Sequence, residues 1–262
     1  MSEPASRRQF LQTVIAGALA ISDPRRAIGH LGSSSRQLEI IAASLEDAQA
    51  AATGGATRVE LTSFRDGAYY TPPLDLLDEV RKRVALRCRV FLRERPGFVL
   101  TGAEERTVLL EKAKALASRN LDGIVVGFIR DGQIDLDTLT AVASAAPQLS
   151  MTVHNVVEML ADPPRALTQL KAIPSIDRVL VYGGTGTFGE RMQRLKLYKR
   201  LWEPRKLVVN GFEVEDMPRV LRETGITEFH DGEAVRTPRA PFPAGAVDSS
   251  KVRNAWRLLQ RA

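Results

Sequence analysis

From residue 38 onward, short apolar runs alternate with helical patterns, each pair taking about 25 residues. The runs are LEIIA (38–42), TRVEL (57–61), RCRVFLR (87–93), LDGIVVGF (121–128), LSMTV (149–153), DRVLVYGG (177–184), KLVVNG (206–211) and ITEFHDG (226–232). Helix signals follow each one. Ser44 caps a helix through Glu46, Asp47 and Ala51 that stops at Gly54 and Gly55, and Pro163 and Pro164 sit in the first turn of another, where a missing N–H costs nothing. Val252, Trp256 and Leu259 give the last helix its apolar stripe. No hairpin signal is read between the runs, so they are expected to form parallel strands joined by crossover helices. Eight such pairs predict a single α/β domain, a (β/α)8 TIM barrel over 37–262. An open doubly wound sheet carries a glycine fingerprint after its first strand, and here that turn reads AASLED.

Residues 1–36 follow a different pattern. SRRQFLQ (6–12), the short apolar run TVIAGALAI, and then Arg25 and Arg26 resemble a twin-arginine export signal with a linker behind it. Ala18, Leu19 and Ala20 offer a small-residue cleavage site. The expected partner is the twin-arginine translocase, and the expected location is the periplasm or beyond, or the cytoplasm where the signal is not used. No run approaches the ~20 apolar residues that span a bilayer.

Composition adds little to the fold but removes several functions. A net charge of +6 is spread through the helices without an aromatic–basic cluster, which argues against nucleic acid as a partner. Arg7, Arg8, Arg25 and Arg26, set against Glu3 and Asp23, account for two of those six charges. The single cysteine, Cys88, excludes an intrachain disulfide and any Cys-rich metal site, and its apolar surroundings mark it as a buried hydrophobe.

The candidate chemistry comes from alternation. Residues two apart share a face of a strand, and in a barrel one face is the interior. With His154 inward at the C-terminal end of its strand, Thr152 follows; the matching sets are Arg58 with Glu60, Phe91 with Arg93, Val208 with Asn210, Glu228 with His230, and Glu39 with Ile41. Ionisable groups then crowd the interior, where an unpaired charge is costly. Two arrangements satisfy them. In one, Arg58 and Arg93 neutralise Glu39, Glu60 and Glu228 in a closed ionic network, and the histidines donate to carboxylates. In the other, Glu60, Arg93, His154, Asn210 and His230 surround a pocket at the C-terminal face, with Glu60, His154 and His230 as acid and base groups. Glu39, Arg93, Arg95, Asn210 and the glycine loop at Gly183 and Gly184 would then bind a small anion, because guanidinium forks and close backbone approach suit one. The same set can hold a divalent metal such as zinc, although no HxH or HExxH spacing supports this.

Taken together, LEI, GATRVEL (55–61), TPP (71–73), LRER (92–95), TVHNVVEM (152–159), RVLVYGG (178–184), NGF (210–212) and EFHDG (228–232) resemble the CutC family, named for copper homeostasis, over residues 37–260. That resemblance implies a TIM barrel, often a homodimer, with a pocket at its mouth and a role for copper. It carries over most directly to Glu60, Arg93, His154 and His230. Several positions depart from the family pattern. Ile41, Ala42 and Ala43 stand where the family has cysteines after its first strand, Asn155 replaces an arginine, Glu158 replaces an aspartate, and Asp231 and Gly232 replace a serine-rich end. The expected function is therefore binding of a small anionic ligand, or an uncharacterised enzymatic activity, at the barrel mouth. The alternative is a copper or other metal-binding or trafficking protein using His154, His230 and the methionines.

Overall fold

A computed structural model of the protein describes residues 36–239 and 242–262. The twin-arginine segment lies outside the described residues. Eight strands close into a barrel: β1 (Gln37–Ala42), β2 (Arg58–Leu61), β3 (Arg87–Phe91), β4 (Gly123–Val126), β5 (Ser150–Val153), β6 (Ile176–Val181), β7 (Lys206–Val209) and β8 (Glu228–Asp231). Every neighbouring pair is parallel, and β1 pairs with both β2 and β8. The helices between and after them are α1 (Leu45–Gly54), α2 (Leu74–Arg83), α3 (Ala103–Ala117), α4 (Leu136–Ala145), α5 (Pro163–Leu170), α6 (Phe188–Trp202), α7 (Met217–Thr224) and α8 (Ser249–Arg261). The predicted (β/α)8 barrel is the observed fold. Among the described residues no helix is long and apolar enough to cross a membrane.

Local chemistry sets the helix ends. Ser44 accepts the Asp47 N–H at 3.1 Å and starts α1, and Asp162 accepts the Arg165 N–H ahead of Pro163 in α5. Thr187 and Glu190 form a reciprocal capping box at α6.

One expectation fails. Between β2 and α2, Ser63–Arg65 pairs antiparallel with Ala68–Tyr70, and between β4 and α4, Ile129–Arg130 pairs with Gln133–Ile134. Both hairpins turn on an Asp-Gly pair with positive φ at each residue: Asp66 at 51° with Gly67 at 76°, and Asp131 at 52° with Gly132 at 70°. Such a turn matches the twist of the flanking strands, and Asp-Gly is its usual sequence. A third small pairing joins Arg236–Thr237 to Ala246–Val247. The first two lie in loops that follow the C-terminal ends of their strands, so they build up the rim of the barrel.

The strand faces divide as alternation predicts. Leu38, Ile40, Val59, Leu61, Cys88, Val90, Val179 and Val181 pack outward into the helix layer, in one apolar core with Trp202 and Leu259. Barrel interiors are usually filled by branched aliphatic side chains. This one holds buried charge: Glu39, Arg58, Glu60, Arg89, Glu228 and His230.

Most of that charge is paired in a continuous chain around the barrel floor. Arg58 bonds Glu39 through Nε and reaches Glu228 Oε2 through Nη2 at 2.9 Å. Glu228 also accepts from Arg178 Nε at 2.7 Å, and Arg178 pairs with Asp177. Asp177 in turn takes a two-pronged contact from Arg89 at 2.9 and 2.7 Å, and Arg89 Nη1 donates to Thr152 Oγ1 at 2.6 Å. Gly123 lies inward on β4, where a Cβ would collide with the Ser150 carbonyl and come within 3.3 Å of the Arg89 guanidinium carbon. The missing side chain makes room for the arginine.

Candidate functional site

Above the ionic floor, the C-terminal ends of the strands open into a cavity of about 490 Å³. Glu60, Arg93, His154, Asn210 and His230 all line it, together with Tyr69, Phe91, Phe98, Tyr182, Asp231 and Phe242. Glu39 lies just beneath, bonded to His230. The structure therefore brings together six of the residues picked out from the sequence.

Arg93 follows β3 by two residues. Thr71, from the TPP segment, clips its backbone: the Thr71 N–H donates to the Arg93 carbonyl at 2.9 Å, and the Arg93 N–H donates to Thr71 Oγ1 at 2.9 Å. The guanidinium donates through Nη2 to the Gly127 carbonyl at 3.0 Å and to His154 Nε2 at 2.8 Å. Its buried Nε has no partner, and Arg93 forms no ion pair among the described residues. Burial pulls the group down to about 10, against a weak upward pull from Glu105, so it stays cationic at neutral pH. The Phe98 ring lies 4.5 Å from the guanidinium carbon.

His154 serves that arginine. A guanidinium can only donate, so Nε2 accepts, while Nδ1 lies 3.3 Å from the Val156 N–H. Both ring nitrogens face donors. Burial, reinforced by the Arg93 charge, holds the imidazole well below its ordinary pKa and therefore neutral. Phe91 stacks on the ring at 5.6 Å and 21°. The approach needs a bare Gly127, because a Cβ there would fall 2.9 Å from His154 Nε2.

Glu39, His230 and Glu60 form the second constellation. Glu39 Oε1 accepts from His230 Nδ1 at 2.8 Å, which leaves Nε2 for the cavity. One ligand atom from each of Glu39, Glu60 and His230 lies within 4.8 Å of the other two. Glu60 is 5% exposed and makes no hydrogen bond among the described residues. Burial, opposed by the His230 charge and reinforced by that of Glu39, raises its carboxyl to about 7. Burial lowers His230, but Glu60 and Glu39 outweigh it and raise the imidazole. Burial also pushes Glu39 up, yet Arg58 and His230 hold it well below the carboxylate range. Glu60 and His230 are therefore a pair that can hold or release a proton near neutral pH, with Glu39 fixing the ring.

The remaining candidates lie elsewhere or are already engaged. Asn210 lines the cavity and donates to the Tyr182 hydroxyl at 3.3 Å. Arg95 is exposed, away from the cavity, with Thr101 Oγ1 at 3.5 Å. Gly183 and Gly184 do not line the cavity. Glu158 accepts the Tyr182 and Gly184 N–H groups at 2.6 and 2.7 Å, and Arg194 takes the Gly183 carbonyl at 2.5 Å. The place that the sequence reading gave to an external anion is filled by the chain's own carboxylate. Arg93 does not neutralise Glu39, Glu60 or Glu228, as the closed-network arrangement required; Arg58 pairs with two of the three. Alternation would have found Arg89, two residues before Phe91. Tyr69 reaches the cavity on the first Asp-Gly hairpin, which strand alternation in the barrel does not cover.

The chain as a whole resembles known proteins. The sequence profile of the CutC family matches residues 36–235. The family protein CutC of Xanthomonas axonopodis pv. citri (strain 306) is 33% identical over 239 residues, covering 86% of this chain and 99% of its own length. The Bacteroides thetaiotaomicron family protein CutC is 32% identical over 201 residues, covering 74% and 79%. Among solved structures, the copper homeostasis protein CutC of Streptococcus agalactiae aligns with a TM-score of 0.68 at 20% identity, over 74% of this chain and 97% of that one. Phosphoribosyl anthranilate isomerase from Thermococcus kodakaraensis aligns with a TM-score of 0.58 at 12% identity, over 87% and 100%. These two structural likenesses show the fold.

Proposed function

The chain belongs to the CutC family, and on that premise we propose that its barrel mouth binds a small organic anion held by Arg93. One observation carries this reading: a guanidinium 6% exposed, with an unpartnered Nε, on the wall of a cavity and without a carboxylate of its own. An uncompensated buried charge costs several kcal/mol, and a bound anion removes that cost. Neutral His154 and the Gly127 carbonyl fix Nη2, and Nε is buried out of reach, which leaves Nη1 for a ligand. A reaction on the bound anion would draw on Glu60 and His230 for its protons. The Arg7 and Arg8 pair supports export, which would place this site outside the cytoplasm.

Calorimetric titration with a panel of small carboxylates and phosphate monoesters tests the reading. At least one member is expected to bind, and Arg93→Gln is expected to weaken it about 30-fold, the scale of a hydrogen bond to a charged group. Equal affinity in the two proteins, or no binding by any member, overturns it.

Family membership brings an association with copper homeostasis, the role named for the Streptococcus agalactiae protein. Copper(I) favours thiolate and thioether ligands, and the cavity offers one thioether, Met159, and no thiolate, so the residues here fit that ion poorly. Cys88 faces the helix layer, and burial pushes its thiol up to about 12. The group nearest to a metal site is Glu39, Glu60 and His230, but Glu39 already gives one oxygen to Arg58 and the other to His230. Untagged protein is expected to carry copper and zinc far below one ion per chain by elemental analysis. A stoichiometric metal would overturn that expectation.

A further inference from the structure

The buried charges can be balanced one against another. In the floor, Arg58, Arg89 and Arg178 meet Glu39, Glu228 and Asp177, three cations against three carboxylates. Of the charged groups on the cavity wall outside that ring, Asp231 is met by the Glu233 and Val235 N–H groups, Arg239 pairs with Glu213 and Glu233 is exposed; the two left buried and unmet have opposite signs. Arg93 is a cation without a carboxylate, and Glu60 is a carboxylate without a hydrogen bond. They are only one strand apart, past β3 and at the end of β2, yet they form no ion pair with each other. Arg93 is held back by Gly127 and His154.

We infer that the mouth is built for a zwitterion, a molecule whose carboxylate is taken by Arg93 and whose ammonium group is taken by Glu60. The inference rests on the reading that Arg93 holds an anion, and it adds the second charge. A plain dicarboxylate would press its far end against Glu60, and a plain amine would face Arg93, so each leaves one buried charge unmet. A zwitterion meets both. His230 gives its Nδ1 to Glu39 and makes no hydrogen bond to Glu60, so it acts on Glu60 through its charge alone and leaves the carboxylate without a donor. The walls between the two charges are aromatic. Tyr69 stacks on Phe242 at 5.3 Å and 19°, beside Phe91 and Phe98, and ring faces favour an ammonium group as well as apolar carbon. The ligand class is thus an amino acid or a related amino carboxylate with an apolar or aromatic body, of a size to enter about 490 Å³.

Matched triples test this in the full-length protein: phenylalanine with 3-phenylpropanoate and 2-phenylethylamine, and 5-aminopentanoate with pentanoate and pentylamine. In at least one triple the zwitterion is expected to bind about tenfold or more tightly than either single-charge analogue. Glu60→Gln keeps the shape, and it is expected to bring the zwitterion down to the affinity of the carboxylate. Arg93→Gln should weaken the binding of both by about 30-fold. If the carboxylate binds as well as the zwitterion, or if Glu60→Gln leaves the preference intact, the zwitterion is refuted while an Arg93-dependent anion site still stands. If no member of either triple binds, the zwitterion is refuted; the anion site itself is judged by the separate carboxylate and phosphate panel.

Discussion

Arg58→Met is expected to destabilise the barrel by about 3–5 kcal/mol, the cost of removing one partner from a buried ionic contact. Arg58 is 1% exposed and reaches from β2 to carboxylates on the adjacent β1, Glu39, and one strand further on β8, Glu228, across the closure of the barrel. Methionine replaces the aliphatic stem and leaves those carboxylates with less cation to meet. Glu228 keeps Arg178, and Glu39 keeps only His230. Urea denaturation measures the loss. Because the stranded groups can escape by protonating, the loss should be smaller at pH 5 than at pH 8. A shift below about 1 kcal/mol at pH 8 would show that Arg58 is dispensable to the floor. Arg58→Lys keeps the charge but loses the fork that reaches two carboxylates at once, and it should fall between the two proteins.

Glu60→Gln is expected to do the reverse and stabilise the protein above neutral pH. The Glu60 carboxyl lies at about 7 in the folded chain against an ordinary 4.5, so the folded state binds its proton more tightly than the unfolded state does. Its contribution is fully present below pH 4.5 and is lost as the pH rises through about 7. That difference corresponds to roughly 3 kcal/mol. The raised His230 works in the same direction, while the depressed Glu39 contributes above the ordinary carboxylate pKa and loses its share only in strong acid. The charged groups that act on Glu60 are His230, Glu39, Arg58 and Arg89, and its own charge adds to the burial that raises Tyr69 and Tyr182. The substitution should therefore change little at pH 5 and add stability at pH 8. An equal effect at both would mean that Glu60 titrates like an exposed carboxylate. The gain would come with a loss of ligand discrimination, as expected where a binding group is kept buried at a cost to stability.

Strand parity was legible because the pleat of seven strands is unbroken: Glu39 with Ile41, Arg58 with Glu60, and Glu228 with His230 fall inward as alternation requires. On β6 it breaks. The pairing with β5 shifts between Ile176 and Arg178, and so both Asp177 and Arg178 reach the ionic floor. Parity also ends where a strand ends, and for that reason Arg93 stays at the mouth while Arg95, two residues further on, points to solvent. Contacts between distant loops leave no local trace. Nothing near His154 announces that Arg93 will donate to it from 61 positions away, and nothing near Gly184 announces Glu158. The two Asp-Gly pairs are local hairpin signals, but they fall inside segments whose helical rhythm masks strands of only two or three residues.

The Glu158 contact also bears on which anions the protein can recognise. A carboxylate fastened to the chain reaches the Tyr182 and Gly184 amides without diffusing to them, at an effective concentration in the millimolar range or above. Free phosphate in solution has to displace this tethered competitor before it can use the loop. The glycine turn is thereby withdrawn from competition for solutes, and under the proposed function selection among dissolved anions would fall to Arg93 across the mouth, whose one positive charge matches a carboxylate better than a doubly charged phosphate.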